Sequence, residues 1–282
     1  MAVDVEQLDD PHAVLRTAGA FLAGDPVRHN LILTLLETRA RDPETGRYWV
    51  MSTGAEGSRS VIGVALQSPT TYAATITPMP RDAAVAVVDA VVDAGIDVPG
   101  VMGEPAAAAA FAGHWTERTR SVAAPTAGLR LYEVVDVIDP RPAPGGPVPA
   151  KPTDRELLVS WFEAFAVETG SPPEAATAAV DRRLPAGHIS LWRDGGEAVA
   201  MTAVSEPVAG VARIAPVYTP RRLRGRGFAS NLVAHLSRRV LDAGQRCMLY
   251  TDLANPTSNA VYRALGYTAV DEAVRYTFTT KS

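Results

Sequence analysis

Apolar residues recur along this chain with two periods, and the places where one period gives way to the other divide it into elements. Pro11 to Leu22 and Pro26 to Arg39 carry apolar side chains at helical spacing, with Leu31, Leu35 and Leu36 on one side of the second segment. Tyr48 to Met51, Val61 to Leu66 and Tyr72 to Ile76 have the short, β-branched and aromatic character of strands. The pattern then alternates: a helix over Arg81 to Ala94 ended by Gly95, a strand over Val98 to Met102, an Ala-rich helix over Glu104 to Ala112, and a closing strand over Leu129 to Ile138.

From Pro140 to Pro152 the periodicity vanishes, with six prolines and two glycines in thirteen positions. Neither a helix nor a central strand persists through such a run, and it reads as a semi-stiff interdomain linker, a long surface loop being the alternative. After it a similar order returns. Thr153 and Glu156 have the spacing of a capping box that would start a helix running to about Glu168, and Glu174 to Arg183 predicts a second helix. Strands are expected at His188 to Arg193, Ala198 to Ser205 and Val211 to Tyr218. A helix over Phe228 to Ala243 follows, then a buried strand at Cys247 to Thr251, a helix over Pro256 to Leu265 and a last strand around Val274 to Phe278. The expected organisation is two lobes of one α/β architecture with mixed sheets: residues 1–139, a linker at 140–152, and residues 153–282.

Composition narrows the function classes. With 282 residues and a hydrophobic share of 47% the chain can build two cores. A net charge of -4 argues against holding nucleic acid by bulk electrostatics. The lone cysteine, Cys247, forms no internal disulfide and no zinc site by itself, so a reducing cytoplasm and no metal are expected. No segment approaches the ~20 apolar residues needed to cross a bilayer, and the acidic start lacks the apolar run of a signal peptide, so no membrane association is expected.

The candidate chemistry lies in the second half. Val217-Tyr218-Thr219-Pro220 runs into Arg221-Arg222-Leu223-Arg224-Gly225-Arg226-Gly227, which opens directly into the helix starting Phe228-Ala229-Ser230. Gly225 and Gly227 allow positive φ and close backbone approach, and the first amides of a helix lack internal partners, which together suit a phosphate or pyrophosphate. In that helix Ala229, Leu232, Val233, Leu236 and Val240 mark one buried face. Asn255 before Pro256 has the form of an N-cap and first helical residue, with Asn259 and Tyr262 on the same side one and two turns on.

On these residues the second half resembles the GNAT superfamily of acetyl-CoA-dependent N-acetyltransferases. Arg224 to Ala229 is similar to that family's pyrophosphate motif, with Gly227 and Ala229 in its two small positions. Asn255 to Tyr267 is similar to its next conserved stretch, and the likeness covers roughly Lys151 to Ser282. The resemblance implies a tandem GNAT-like acyl-CoA N-acyltransferase fold. It also implies acetyl-CoA as cosubstrate, held by Val217, Tyr218, Thr219, Arg224, Gly225, Arg226, Gly227, Phe228, Ala229, Ser230, Asn255, Asn259 and Tyr262. An amine, on a small molecule or a peptide, would attack the thioester directly, an amide near Val217 would polarise the carbonyl oxygen, and Tyr262 would protonate the departing sulfur. The strand before the loop lacks the glutamate that some members use as a base; Glu206, Asp252, Glu163 and Glu168 are the available carboxylates.

Other readings stand beside this one. The glycines could make a tight turn, the arginines a solvated or nucleic-acid-facing patch, as in an RNA-associated protein, Asn255 a plain cap and Tyr262 an ordinary half-buried tyrosine. Trp161, Phe162 and Phe165 read as core. A non-catalytic acyl-CoA sensor is the alternative function. In the first half the corresponding junction, Thr75 to Asp82, has prolines where the loop has glycines, so that half is expected not to bind CoA and to serve as a wall of the acceptor pocket or as a homodimer surface.

Overall fold

In the computed structural model, which describes residues 2–55, 58–170 and 175–280, the chain runs in order through β1 (Val3–Leu8), α1 (Pro11–Gly24), α2 (Asn30–Arg41), β2 (Arg47–Thr53), β3 (Ser60–Gln67), β4 (Ala74–Ile76), α3 (Arg81–Asp93), β5 (Gly100–Gly103), α4 (Pro105–Thr119) and β6 (Val122–Val134). It continues with β7 (Gly146–Pro149), α5 (Arg155–Thr169), α6 (Ala176–Arg183), β8 (Ile189–Asp194), β9 (Glu197–Val204), β10 (Val211–Tyr218), α7 (Phe228–Asp242), β11 (Arg246–Asp252), α8 (Pro256–Ala264) and β12 (Thr268–Thr279). These elements form two compact units. The first comprises Met1–Leu131, Thr251–Ala254 and Val270–Ser282, the second Tyr132–Tyr250 and Asn255–Ala269.

In the first unit the strand order is β1-β2-β3-β4-β5-β12-β6. The meander β1 to β4 is antiparallel, β4 pairs parallel with β5, and β5 pairs antiparallel with β12 through Gly100 to Gly103 and Thr277 to Val274. The last strand of the chain is thus a member of the first unit's sheet. Its Phe278 stacks on Trp115 of α4 at 5.4 Å and on Phe111 at 6.3 Å, and these rings join Trp49, Val87 and Val88 in a core under α3 and α4.

In the second unit the order is β11-β10-β9-β8-β7. One face of this sheet carries α7, whose Phe228, Leu232, Val233, Leu236 and Val240 are buried with Ala212, Ile214, Cys247 and Leu249. The other face carries α5 and α6, where Leu158, Trp161, Phe162 and Val180 pack with Leu191, Met201 and Tyr218, and Phe165 sits partly buried beside them. Those aromatic residues are core, as the sequence indicates.

Several local expectations are revised. The strand β1 is not evident in the sequence, because its acidic residues face outward at a sheet edge and only Val3 and Val5 pack inward. The second helix starts at Asn30, since Pro26 to His29 form a turn in which the Asn30 amide donates to the Val27 carbonyl at 3.3 Å. No Thr153/Glu156 capping box closes α5. The Asp154 carboxylate instead accepts the Lys151 amide at 2.8 Å and the Arg193 guanidinium at 2.5 Å, across a short 3-10 turn at Pro152–Asp154. Glu174, the expected start of α6, lies outside the described residues. Within the Pro/Gly-rich run, Gly146 to Pro149 form the edge strand β7 against β8, a position that tolerates proline, and the Pro144 carbonyl accepts from the Trp192 indole at 2.8 Å.

Candidate active site

The strand that leads into the loop is paired unevenly. On one side β10 runs antiparallel to β9, with Ile214 opposite Val204, then a register shift, then Val217 opposite Thr202 and Tyr218 opposite Met201. The Thr202 hydroxyl donates to the Pro216 carbonyl at 2.8 Å inside this irregularity, which fixes the strand where it is bent. On its other side β10 pairs parallel with β11 only through Val211, Ala212 and Arg213. Beyond Arg213 that edge has no ladder partner among the described residues, so the backbone around Val217 is open to a ligand that pairs as an added strand. The Thr219 hydroxyl oxygen, at the end of the strand, is buried without a hydrogen-bond partner.

The loop then turns through Arg221 to Leu223, and Gly225 and Gly227 adopt φ of 75° and 83°. A side chain on Gly225 would meet nothing within 4 Å, so this backbone faces open space. No side chain caps α7, and the amides of Gly225, Arg226, Gly227, Phe228, Ala229 and Ser230 find no acceptor among the described residues. The first internal bond runs from the Asn231 amide to the Gly227 carbonyl at 3.0 Å. Six successive unpaired donors at the positive end of a fifteen-residue helix form an anion cradle. Asn231 also binds the Arg141 carbonyl at 3.0 Å through its side chain, so the Pro-rich segment flanks this cradle without filling it.

Each arginine of the loop meets a carboxylate. Arg224 and Arg221 reach Glu168 at 2.6 and 3.1 Å, Arg222 reaches Glu197 at 3.1 Å and Arg226 reaches Asp194 at 3.4 Å. Partial burial opposes ionisation of Glu168, but the two guanidinium groups outweigh it and hold its carboxyl below the usual range. Arg224 is further anchored by donating to the Thr219 carbonyl at 2.8 Å, and Arg226 lies over the buried Phe228 ring at 4.7 Å from its centroid.

On α8, Asn255 accepts the Ser258 amide at 3.0 Å and is a working N-cap. Asn259 is buried and engaged within the protein: its side-chain nitrogen donates to the Asn255 carbonyl at 2.8 Å and its oxygen accepts from the Tyr132 hydroxyl at 3.0 Å. Tyr262 is only 9% exposed, in the same apolar cluster against which Val217 packs. Its phenol makes no hydrogen bond among the described residues, and burial pushes its pKa up to about 12. Tyr262 is thus a neutral O–H donor with a vacant valence. Of the carboxylates read from the sequence, Glu168 is tied to arginines and Glu163 and Glu206 are exposed.

The sheet with its unevenly paired β10, the glycine corner and the helix that follows have the tandem GNAT-like acyl-CoA N-acyltransferase fold. The resemblance read from Arg224 to Ala229 and from Asn255 to Tyr267 is borne out. Residues 194–276 match the family of FR47-like proteins. Among solved structures, a GCN5-related N-acetyltransferase from Sphaerobacter thermophilus is similar with a TM-score of 0.65 at 15% identity, over 96% of this chain and 94% of that one. An acetyltransferase of the GNAT family from Colwellia psychrerythraea is similar with a TM-score of 0.62 at 10% identity, over 98% of this chain and 100% of that one. A tandem GNAT protein from the clavulanic acid biosynthesis pathway has a TM-score of 0.56 at 15% identity, over 98% of both chains. No curated protein sequence matches significantly.

The junction in the first unit differs. Between β4 and α3, Thr77 is locked to Val64 by bonds of 2.9 and 3.0 Å, Pro78 and Pro80 contribute no N–H, and no residue takes positive φ. Asp82 accepts the Ala83 amide at 3.0 Å, so its own carboxylate occupies the start of the helix. Among the described residues no cluster of three or more His, Cys, Asp or Glu could hold a metal, and no helix is long and apolar enough to cross a membrane.

Proposed function

We propose that the second unit is an acetyl-CoA-dependent N-acetyltransferase acting on a primary amine in a cytoplasmic setting. The six unpaired amides from Gly225 to Ser230 carry this reading, because such a cradle suits a diphosphate better than any single charge. The open edge of β10 past Arg213 supports a place for the pantetheine arm, and Thr219 has a buried hydroxyl in want of a partner.

In the step proposed, the amine nitrogen bonds to the thioester carbon, the carbon–sulfur bond breaks, and the sulfur takes a proton from the Tyr262 hydroxyl. The proton lost by the new ammonium goes to solvent, and the Tyr262 phenolate takes a proton back from solvent, which closes the cycle. An amide near Val217 stabilises the carbonyl oxygen as charge grows on it. With its pKa pushed up to about 12, the Tyr262 phenol keeps its proton at neutral pH and holds it in place to meet the charge that grows on the sulfur as the bond breaks.

Thiol release from acetyl-CoA across a broad amine panel, with acetyl-CoA binding followed by calorimetry, tests the proposal. Release with any amine supports the transferase. Tight binding without release across the panel supports the non-catalytic sensor, and no binding removes both.

A further inference from the structure

The loop arginines are paired, but two half-buried arginines elsewhere in the second unit have no such partner among the described residues. Arg213 sits on β10, and its neighbours Ala212 and Ile214 belong to the cluster under α7, so by alternation Arg213 projects to the opposite face, the one covered by α5 and α6. Arg183, the last residue of α6, lies over the ring of Phe162 on that face, 5.7 Å from its centroid. Both are half-buried, and among the described residues neither guanidinium has a hydrogen bond or a carboxylate partner. Burial lowers the pKa of both, that of Arg183 to about 10; Arg182 and Arg213 further disfavour the charge on Arg183, while Tyr250 favours the charge on Arg213.

Two like charges, partly desolvated and close enough to repel, are costly to hold without an anion. An aromatic face under Arg183 offsets little of that cost. Their place relative to the proposed chemistry is informative. Arg213 is the last residue of β10 paired to β11, and the open edge begins immediately after it. Val217 is four positions on, about 13 Å along an extended strand.

We infer that Arg183 and Arg213 form the binding site for an oxyanion carried by the amine acceptor, a carboxylate or a phosphate ester separated from the amine by several bonds. This rests on the acyltransferase reading of the same unit, whose acceptor class it names. Arginine suits the task because its planar fork binds such groups bidentately and stays charged.

The test compares matched acceptors in the thiol-release assay: glycine, 4-aminobutyrate and 6-aminohexanoate against their carboxamides, and O-phosphoethanolamine against ethanolamine. The acid is expected to exceed its amide by ~10-fold or more in kcat/KM, mostly through KM, with the longer amino acids ahead of glycine. Preference for the phosphate ester alone would identify the oxyanion as phosphate. Arg183→Gln and Arg213→Gln are each expected to bring the acid-to-amide ratio towards one, and Arg213→Lys to restore part of it, with acetyl-CoA titration of each variant reporting that the unit is folded. Equal use of acids and amides by the natural protein, or a preference that both glutamine variants leave intact, overturns the site. If no amine releases thiol, the transferase reading fails, and the site is judged by thermal shift with 6-aminohexanoate. A shift abolished by Arg183→Gln sustains the site, and no shift removes it with the rest.

Discussion

The carboxylate of Glu168, at the end of α5, accepts from the Arg224 guanidinium at 2.6 Å, although the two lie fifty-six positions apart in the chain. A second arginine, Arg221, binds the other oxygen at 3.1 Å. The pair places a negative charge beside the loop whose amides await a diphosphate. Glu168→Gln removes that charge, and acetyl-CoA affinity is expected to rise by ~2- to 5-fold at low salt and by less as the ionic strength increases. Calorimetric titration at two salt concentrations reads the effect, and weaker binding by the variant contradicts it. Since the folded-state Glu168 carboxyl titrates below its unfolded value, the pairs contribute stability above the usual carboxylate range. That contribution is lost as pH falls through the folded-state pKa.

Tyr262 offers the sharpest separation of chemistry from binding. Its hydroxyl has no hydrogen-bond partner among the described residues, so Tyr262→Phe is expected to leave the melting temperature and acetyl-CoA affinity nearly unchanged while turnover drops ~100-fold or more. An unchanged rate removes Tyr262 from catalysis. With its pKa raised to about 12, this phenol is protonated throughout the neutral and mildly alkaline range, so it contributes no fall in kcat between pH 7 and pH 10. A pH–rate profile of the natural protein beside the phenylalanine variant checks this.

Gly227 heads α7 with φ of 83°, and a methyl group there would meet the Asn231 side chain at an ordinary 3.5 Å. The cost of Gly227→Ala is therefore conformational and not steric, about 1 kcal/mol from forcing alanine into the left-handed region. The variant is expected to fold with a modestly lower melting temperature, and to bind acetyl-CoA at least ~5-fold more weakly because the cradle relaxes away from that φ. Unaltered affinity would show that the amides are not the grip.

The first unit lacks the positive-φ glycine turn of that cradle between Thr77 and Arg81. One equivalent of acetyl-CoA per chain is expected in a calorimetric titration, and a second contradicts the assignment of binding to the second unit alone.

Much of the second unit is legible in its residues. The bounds of β10 agree at both ends, and α7 and α8 agree to within a residue, because glycine and proline punctuate them and the intervening apolar spacing is strong. The positive φ at Gly225 and Gly227 and the cap at Asn255 are local features, so they are read correctly from the sequence. What escapes is non-local. Nothing in Arg213 distinguishes it from twenty-four other arginines until the sheet puts it on the face of Phe162 and Arg183. The bond from the Tyr132 hydroxyl to the Asn259 side-chain oxygen, across 127 positions, is equally invisible in either residue. Likewise Lys151 and Asp154 displace the expected Thr153 cap through a turn that propensity alone does not specify.

Because β12 lies between β5 and β6 in the first unit's sheet, that unit is incomplete until the ribosome has passed the whole of the second unit and translated β12. During synthesis its strand β5 presents an uncovered edge to whatever else can pair with it. A fragment cut after the Pro-rich run would inherit the same open edge permanently, so the amino-terminal half is a poor candidate for separate expression even though most of its core is encoded there.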